Sequence, residues 1–176
     1  MVSESISFPP SWSWRDGPCL PGSAVVADMD GVISDATGRQ HFLNEPPKDW
    51  QGFFNACDQD PPIPSTIELL RQLHPELLVI LLTARPSWVR EQTLEWLRRQ
   101  ELRWDLLVLR SPAEDMLSAG DYKLASLKDL HSRGFELVLG FEDDPKNVQI
   151  FRDFGLPCVY IYSGYYEDRK GRSPIG

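Results

Sequence analysis

The sequence contains few cysteines and no long hydrophobic run. Its three cysteines, Cys19, Cys57 and Cys158, lie far apart without Cys-x-x-Cys spacing. This pattern argues against a disulfide framework and a zinc knuckle and suits a reducing, cytoplasmic location. The longest apolar run, residues 77–82, is far shorter than the roughly 20 residues that cross a bilayer. We therefore expect no membrane span. Residues 1–10 hold no basic residue before an apolar stretch, which predicts no secretory leader.

Positive charge is also scarce. The chain has 18 Lys and Arg against 26 Asp and Glu, a formal net charge of −8. Nonspecific attraction to a nucleic-acid backbone comes from clustered Lys and Arg, so this balance argues against a long nucleic-acid groove. A small anionic substrate remains compatible with it, because a local basic patch and a divalent metal can reverse the field inside one cleft.

The pattern of apolar residues predicts one α/β domain. Five apolar runs without polar alternation predict strands buried on both faces, at residues 24–27, 77–82, 106–109, 137–140 and 159–162. Between them, helices are predicted from a capping box at 65–68, from Pro86, and at 122–132 and 145–153. Strands that alternate with helices indicate a doubly wound, mostly parallel sheet whose ligand lies beyond the carboxyl ends of the strands.

Two segments fall outside this alternation. Residues 1–22 predict an extended N-terminal arm packed on the surface, followed by a single domain over residues 23–176. The proline-rich residues 37–64 show no helix or strand period and contain an aromatic cluster of Trp50, Phe53 and Phe54. Their length predicts a small insert that covers the site as a lid.

Two aspartates end the first predicted strand. Asp28 and Asp30 are two residues apart, so an extended chain projects both side chains to the same side, about 6–7 Å from each other. This separation accommodates a phosphoryl group. Asp28 can act as the nucleophile, and Asp30 as the acid that protonates the leaving oxygen and then as the base that activates water.

Further polar residues follow the other strands. Thr83 ends the second strand and Lys123 lies in a helix after the third. Both can bind a phosphate group, although each alone is more typical of an ordinary turn or of a solvated surface. Asp143 and Asp144 follow the fourth strand. Repeated acids there repel one another unless a cation lies between them and Asp28, and Mg²⁺ suits a set of oxygen ligands. Asp144 alternatively caps the helix that follows.

These residues occur in a fixed order along the chain. They are Asp28-x-Asp30-Gly31-Val32, then Thr83, then Lys123, then the pair Asp143/Asp144. In that order and spacing they resemble the four motifs of the haloacid dehalogenase superfamily of phosphohydrolases, over residues 24–166. The resemblance implies Asp28 as nucleophile, Asp30 as acid and base, and Thr83 and Lys123 as phosphate-binding residues.

The same resemblance implies a cofactor and a topology. Mg²⁺ would be held by Asp28, the backbone carbonyl of Asp30, and Asp143, with Asp144 beside it as a further candidate ligand. The fold would be a Rossmann-like three-layer sandwich with a small cap insertion, whose sheet has the order 5-4-1-2-3 in the numbering of the five predicted strands.

A narrower likeness is carried by short segments across the chain. They are His41, Pro46-Pro47-Lys48-Asp49-Trp50, Phe53-Phe54, Pro62-Ile63-Pro64, Thr83-Ala84-Arg85-Pro86, Asp121-Tyr122-Lys123 and Gly140-Phe141-Glu142-Asp143-Asp144. These segments are similar to the 3′-phosphatase domain of phage-type polynucleotide kinases. The chain differs from those proteins because it has no Gly-x-x-x-x-Gly-Lys-Ser/Thr loop and hence no kinase half.

The sequence therefore predicts a Mg²⁺-dependent phosphomonoester hydrolase without an obligate protein partner. Its substrate would be a phosphorylated small molecule, a nucleotide or a nucleic-acid 3′ end, bound by a basic rim of Arg39, Arg85 and Arg110. Trp50 or Phe54 could stack on a terminal base, or the aromatic residues could simply pin the insert to the sheet. Phosphotransfer to another acceptor, hydrolysis of a small metabolite, and non-catalytic binding of a phosphorylated ligand remain alternatives.

Overall fold

A six-stranded sheet forms the centre of the protein. The computed structural model describes residues 8–167; residues 1–7 of the predicted arm and 168–176 of the predicted domain lie outside the described residues. The strands are β1 (Trp12–Trp14), β2 (Ser23–Ala27), β3 (Leu78–Pro86), β4 (Leu106–Arg110), β5 (Glu136–Glu142) and β6 (Cys158–Tyr160). Their order across the sheet is β1-β4-β3-β2-β5-β6.

The predicted fold is confirmed. The five predicted strands are β2 to β6, they are mutually parallel, and they follow the predicted order across the sheet. The structure adds one strand that the sequence did not predict: β1, in the predicted arm, pairs antiparallel with β4 and places Trp12 opposite Val108. The arm therefore extends the sheet at one edge.

Helices cover both faces of the sheet. They are α1 (Trp50–Asn55), α2 (Pro64–Gln72), α3 (Arg90–Arg99), α4 (Ala119–Ser132) and α5 (Pro145–Phe154). Val25 of β2 lies in one core with Trp96 of α3, while the next residue, Val26, lies in the other core with Phe151 of α5. Successive strand residues point to opposite faces, so the continuous apolar runs supply both cores of a three-layer sandwich.

Two predicted helix starts are wrong. The helix α2 begins at Pro64 with Ile63 as its N-cap, which forms no side-chain cap, so the predicted capping box at residues 65–68 lies inside the helix. Proline is favoured in the first turn, where its missing N–H costs nothing. Pro86 does not begin a helix but ends β3 opposite Arg110, and a 3-10 turn, Ser87–Val89, precedes α3.

The predicted insert contains more regular structure than its sequence indicated. A 3-10 helix at Ala36–Leu43 is followed by α1 and a second 3-10 helix at Cys57–Gln59. Backbone hydrogen bonds hold its end to the chain after β2, from Asp35 N to Pro61 O at 2.8 Å and from Ile63 N to Ile33 O at 2.9 Å. The insert is therefore anchored next to the first pair of aspartates, while its use as a lid stays a prediction.

Two expectations based on composition concern membrane-spanning segments and disulfide bonds. Within residues 8–167, the helices are all too short or too polar to span a membrane. All three cysteines are free thiols, and Cys57 and Cys158 are buried. No disulfide therefore contributes to the stability of the sheet.

Candidate active site

The chain turns sharply where β2 ends. Asp28 is still in register with the neighbouring strand, since its N–H donates to Phe141 O at 3.0 Å. The carbonyl of Met29 then accepts the N–H groups of Ile33 and Ser34, each at 2.9 Å. Gly31 has φ of 86°, a left-handed conformation that favours glycine. This turn directs the two aspartates beyond the carboxyl end of the strand.

Lys123 forms an ion pair with the first aspartate. Its side chain is 1% exposed, and its Nζ lies 2.8 Å from Asp28 Oδ2; it also donates to Glu142. Burial lowers the pKa of the Lys123 ammonium, but the carboxylates of Asp28 and Glu142 outweigh this effect and raise that pKa. Lys123 is therefore a fixed positive charge at the base of the site, where it can offset the charge of a phosphate group.

The acidic residues after β5 have different structural partners. Glu142 Oε1 accepts the N–H groups of Asp143 and Asp144, each at 3.1 Å, so Glu142 shapes the loop that carries them. Asp144 Oδ1 accepts the N–H of Lys146 at 2.9 Å, which confirms its predicted role as the N-cap of α5. A metal contact by Asp144 stays a prediction.

Three buried carboxylates converge at one point. One oxygen each of Asp28, Glu142 and Asp143 lie within 4.8 Å of one another. Both oxygens of Asp143 are buried, and within residues 8–167 neither accepts a well-formed hydrogen bond. The nearby Ser163 hydroxyl still acts to lower the pKa of Asp143. Burial and the neighbouring carboxylates nevertheless raise the pKa of Asp143 and of Asp28.

This arrangement fits a hard divalent cation. When all three carboxylates are ionised, they face one ammonium, that of Lys123, and two negative charges at the centre of the cluster remain uncompensated. A buried charge without a partner is strongly unfavourable. The free oxygens of Asp143 and the remaining lone pairs of Asp28 are oxygen ligands, which Mg²⁺ prefers.

Asp30 is held by two arginines. Its Oδ1 accepts hydrogen bonds from Arg39 Nη2 at 2.6 Å and from Arg85 Nε and Nη2 at 2.9 and 2.5 Å. Burial alone would raise the pKa of Asp30, but the two guanidinium groups lower it to about 2. Both arginines are buried, with side chains 2% and 0% exposed. They do not form the exposed rim that the sequence predicted, and substrate contact by either stays a prediction.

Asp60 is a component of the site that sequence reasoning missed. This buried residue lies at the end of the insert and accepts hydrogen bonds from Arg39 Nε at 2.9 Å and Nη2 at 2.8 Å. Ser34 donates to it at 2.5 Å, and Arg85 Nη2 lies 3.4 Å from it. Asp60 therefore fixes both guanidinium groups behind Asp30. The Asp60-Pro61 pair is the only sequence signal, and it indicates a turn as readily as a buried ion pair.

The two remaining predicted residues, Thr83 and Arg110, have different surroundings. Thr83 is 1% exposed, and its hydroxyl accepts the N–H of Arg85 at 3.2 Å, which leaves the hydroxyl proton able to donate to a phosphate oxygen. Arg110 does not join the carboxylates. Its guanidinium packs over the ring of Tyr122 at 5.0 Å and faces a separate groove lined by Trp50.

Comparison with known families adds one match. The family model described as "PITM 1-3, LNS2 domain" matches residues 59–163. The matched range includes Thr83, Lys123 and Asp143, but it begins after Asp28 and Asp30. No curated protein matches the chain.

Solved structures confirm the predicted resemblance in fold. A chain of the Pnkp1/Rnl/Hen1 complex is 26% identical with a TM-score of 0.63, over 82% of this chain and 47% of that one. A chain of the Pnkp1/Rnl/Hen1 RNA repair complex is 24% identical with a TM-score of 0.64, over 90% of this chain and 48% of that one. The present chain thus spans about half the length of these two neighbours.

A third neighbour is a phosphatase. The class C acid phosphatase from Bacillus anthracis with tungstate bound is 18% identical with a TM-score of 0.58, over 89% of this chain and 72% of that one. A hydrolase of the haloacid dehalogenase-like family from Streptococcus pneumoniae is 12% identical with a TM-score of 0.53, over 89% and 95% of the two chains. At these identities the likeness concerns the fold, which is of the haloacid dehalogenase type.

Proposed function

The chain belongs to the family of the PITM 1-3 LNS2 domain, and we propose that it is a Mg²⁺-dependent phosphomonoester hydrolase that forms an aspartyl-phosphate on Asp28. The observation that carries this proposal is the pairing of Asp28 with Lys123 at 2.8 Å beside the unpaired buried oxygens of Asp143. A nucleophile, a fixed cation and a set of oxygen ligands together suit phosphoryl transfer.

In the first step, a carboxylate oxygen of Asp28 forms a bond to phosphorus while the bond from phosphorus to the leaving oxygen breaks. Lys123 holds Asp28 in place by its contact with Oδ2 and offsets the charge that gathers on the phosphoryl oxygens. The Thr83 hydroxyl donates to one of those oxygens. Mg²⁺ held by Asp28 and Asp143 would neutralise further charge on the phosphoryl group.

In the second step, water attacks the phosphorus of the aspartyl-phosphate and restores Asp28. Asp30 is available to accept the proton of this water because Arg39 and Arg85 hold its pKa at about 2 and keep it ionised, but the same low pKa makes it a weak base. The same ion pairs oppose proton donation to the leaving oxygen in the first step. We therefore expect formation of the aspartyl-phosphate to be the slower step for poor leaving groups.

The substrate we propose is a nucleotide or a nucleic-acid 3′-phosphate. Support comes from the 26% identity to a chain of the Pnkp1/Rnl/Hen1 complex and from the aromatic residues Trp50 and Phe54 beside the site. The three free cysteines support a reducing location such as the cytoplasm.

The decisive experiment is a phosphatase screen with Mg²⁺ over nucleoside monophosphates, 3′-phosphorylated oligonucleotides, sugar phosphates and phosphoamino acids. Asp28→Asn should lose at least about a thousandfold in kcat on any substrate found, because an amide cannot act as the nucleophile. Its thermal unfolding should show that the fold is retained. Full activity of Asp28→Asn, or turnover in EDTA that Mg²⁺ does not increase, would disprove the mechanism.

A further inference from the structure

An open groove of about 830 Å³ lies next to the carboxylate site. Ala84, one of its lining residues, stands between Thr83 and Arg85 on β3. Arg110, another lining residue, ends the neighbouring strand β4. Ala119 begins α4, one turn before Lys123. The groove therefore borders the strand ends and the helix start that carry Thr83, Arg85 and Lys123, although these three residues do not line it themselves.

Aromatic side chains form one side of this groove. Trp50 is 49% exposed and Trp88 is 52% exposed, although they lie on different elements. Phe54 connects them: it stacks on Trp50 with ring centroids 5.9 Å apart and meets Trp88 edge-on at 6.3 Å. The three rings, here called the aromatic cradle, leave large apolar faces open to solvent. Faces of this kind are suited to stacking with a planar ring.

A cation with unused hydrogen-bond donors faces the same groove. Arg110 packs over Tyr122 at 5.0 Å, but its buried Nε and Nη2 donate to no residue in the range 8–167. Buried donors without acceptors are unfavourable, so an anion that accepts hydrogen bonds from this guanidinium would remove an unfavourable contribution. Lys48 lies 5.8 Å from the Trp50 ring and adds positive charge. Asp115 also lines the groove, and no ion pair connects it to Arg110.

Arg110 differs in this respect from the two arginines of the carboxylate site. The donors of Arg39 and Arg85 are engaged by Asp30 and Asp60. The free donors of Arg110 are thus available to an anionic group other than the phosphate that Asp28 attacks. The ligand of the groove should contain a planar ring and a second anionic group.

We propose that the groove binds the last two nucleotides of a single strand that ends in a 3′-phosphate. The terminal base stacks in the aromatic cradle, and Arg110 binds the phosphodiester that precedes the terminal nucleoside. This inference rests on the proposed function. The net charge of −8 argues against longer contact with the strand, because extended binding needs several cationic contacts.

The length of the substrate tests this proposal. We expect kcat/KM to rise about tenfold from a nucleoside 3′-monophosphate to a 3′-phosphorylated dinucleotide, since only the dinucleotide has the second anionic group. Extension to a tetranucleotide should add less than about twofold. Equal values for the mononucleotide and the dinucleotide, or a higher value for a sugar phosphate, would overturn the proposal.

Two variants separate the two contacts. Arg110→Gln should raise KM for the dinucleotide about tenfold, leave kcat nearly unchanged, and have little effect on the mononucleotide, because the contact is equal in ground and transition states. Lys128→Gln makes the same charge change on the exposed face of α4 and should alter neither substrate. Trp88→Ala should lower kcat/KM for both nucleotides by on the order of tenfold. Unchanged kinetics in Arg110→Gln or Trp88→Ala would refute the corresponding contact.

A binding measurement distinguishes failure of this proposal from failure of the proposed function. Tryptophan fluorescence should report binding of the 3′-phosphorylated dinucleotide in EDTA, where no turnover is expected, and Trp88→Ala should weaken that binding. Binding without turnover under any Mg²⁺ concentration would support the groove while contradicting the hydrolase. Turnover of a 3′-phosphate without any difference between mononucleotide and dinucleotide would keep the hydrolase and overturn the groove.

Discussion

Asp143 lies in the space that a side chain on Gly31 would occupy. A β-carbon built at Gly31 would be 2.0 Å from Asp143 Oδ2 and 3.0 Å from the β-carbon of Ser163. The Asp143 side chain, in the loop after β5, thus packs directly against the backbone of Gly31 in the turn after β2. The position of the candidate metal ligand depends on this close approach.

We expect Gly31→Ala to displace Asp143 and raise the Mg²⁺ concentration needed for activity by about tenfold or more. The left-handed φ of 86° adds roughly 1 kcal/mol of destabilisation for a residue with a β-carbon. A Mg²⁺ titration of phosphatase activity measures the first effect, and thermal unfolding measures the second. Gly38→Ala is the matched control, because a β-carbon there meets no atom within 4 Å. An unchanged Mg²⁺ dependence in Gly31→Ala would contradict the assignment of Asp143.

Asp60→Asn should weaken the ion-pair network that positions Asp30. The change removes the negative charge that faces Arg39, and loss of one partner from a buried ion pair costs about 3 kcal/mol of stability. Because Asp60 contacts the arginines that hold Asp30 and does not belong to the cluster of Asp28, Glu142 and Asp143, kcat should fall about tenfold while KM changes little. Steady-state kinetics well below the unfolding temperature measure this split.

Asp58→Asn provides the comparison for that variant. Asp58 lies two residues away, and its carboxylate accepts only the side chain of Gln59 among the hydrogen bonds of residues 8–167. It should retain the activity and stability of the parent protein. If Asp60→Asn had the same kcat as Asp58→Asn, Asp60 would have no role in positioning Asp30.

The stability of the metal-free protein should decrease as the pH rises. Burial raises the pKa of Asp28 and Asp143 above the ordinary value of 3.8, so the folded state holds these protons more tightly than the unfolded state. Stability is therefore highest below about pH 4 as far as these two groups are concerned, and it is lost as the pH rises through their folded pKa values.

Mg²⁺ should reverse this loss. At a concentration about 100 times the dissociation constant, a ligand of the folded state adds about 2.7 kcal/mol, which corresponds to roughly 5–10 °C for a chain of this size. The shift should be larger at pH 8 than at pH 6, because binding requires the charged carboxylates. Differential scanning calorimetry in EDTA and in Mg²⁺ at both pH values checks it. A shift independent of pH would argue against carboxylate ligands with raised pKa.

The ion pairs at Asp30 predict a dependence on the leaving group. Since Arg39 and Arg85 stabilise the ionised form of Asp30, substrates that need a proton on the leaving oxygen should react slowly in the first step. p-Nitrophenyl phosphate, whose leaving group needs none, should show a burst of product before the steady state. A simple alkyl phosphate should show no burst. Rapid-quench kinetics on both esters test this, and a burst with the alkyl ester would mean that Asp30 donates its proton readily.

The sequence predicted those features that local residue order determines. Continuous apolar runs located five strands, because a strand buried on both faces has no polar positions. Asp28, Thr83, Lys123 and Asp143 were predicted to lie together because the carboxyl ends of parallel strands meet at one edge, and the structure brings Asp28, Lys123 and Asp143 into one cluster. The strand β1 escaped prediction because its three residues, Trp12 to Trp14, contain Ser13 and so lack the continuous apolar run that located the other strands.

Contacts between residues that are far apart in the sequence were harder to predict from the sequence. Arg39 and Arg85 were expected to form a local basic rim in an otherwise acidic protein, but the carboxylates of Asp30 and Asp60 make their burial favourable. Asp60 is 30 residues from Asp30, and only the packing of the insert brings both to the same guanidinium groups. Glu142 was noted only as part of an acidic run, although it orients the next two residues through their backbone N–H groups.

The strand β1 has a consequence for the behaviour of the protein in solution. It pairs with β4 through only three residues, yet it covers the backbone hydrogen-bonding groups that β4 would otherwise present at the edge of the sheet. An uncovered apolar strand such as Leu106–Arg110 is a template for pairing with another molecule. Removal of residues 1–22 should therefore leave the carboxylate site intact but promote association through β4, which light scattering at increasing protein concentration would detect. We therefore expect the short arm to protect the protein against aggregation.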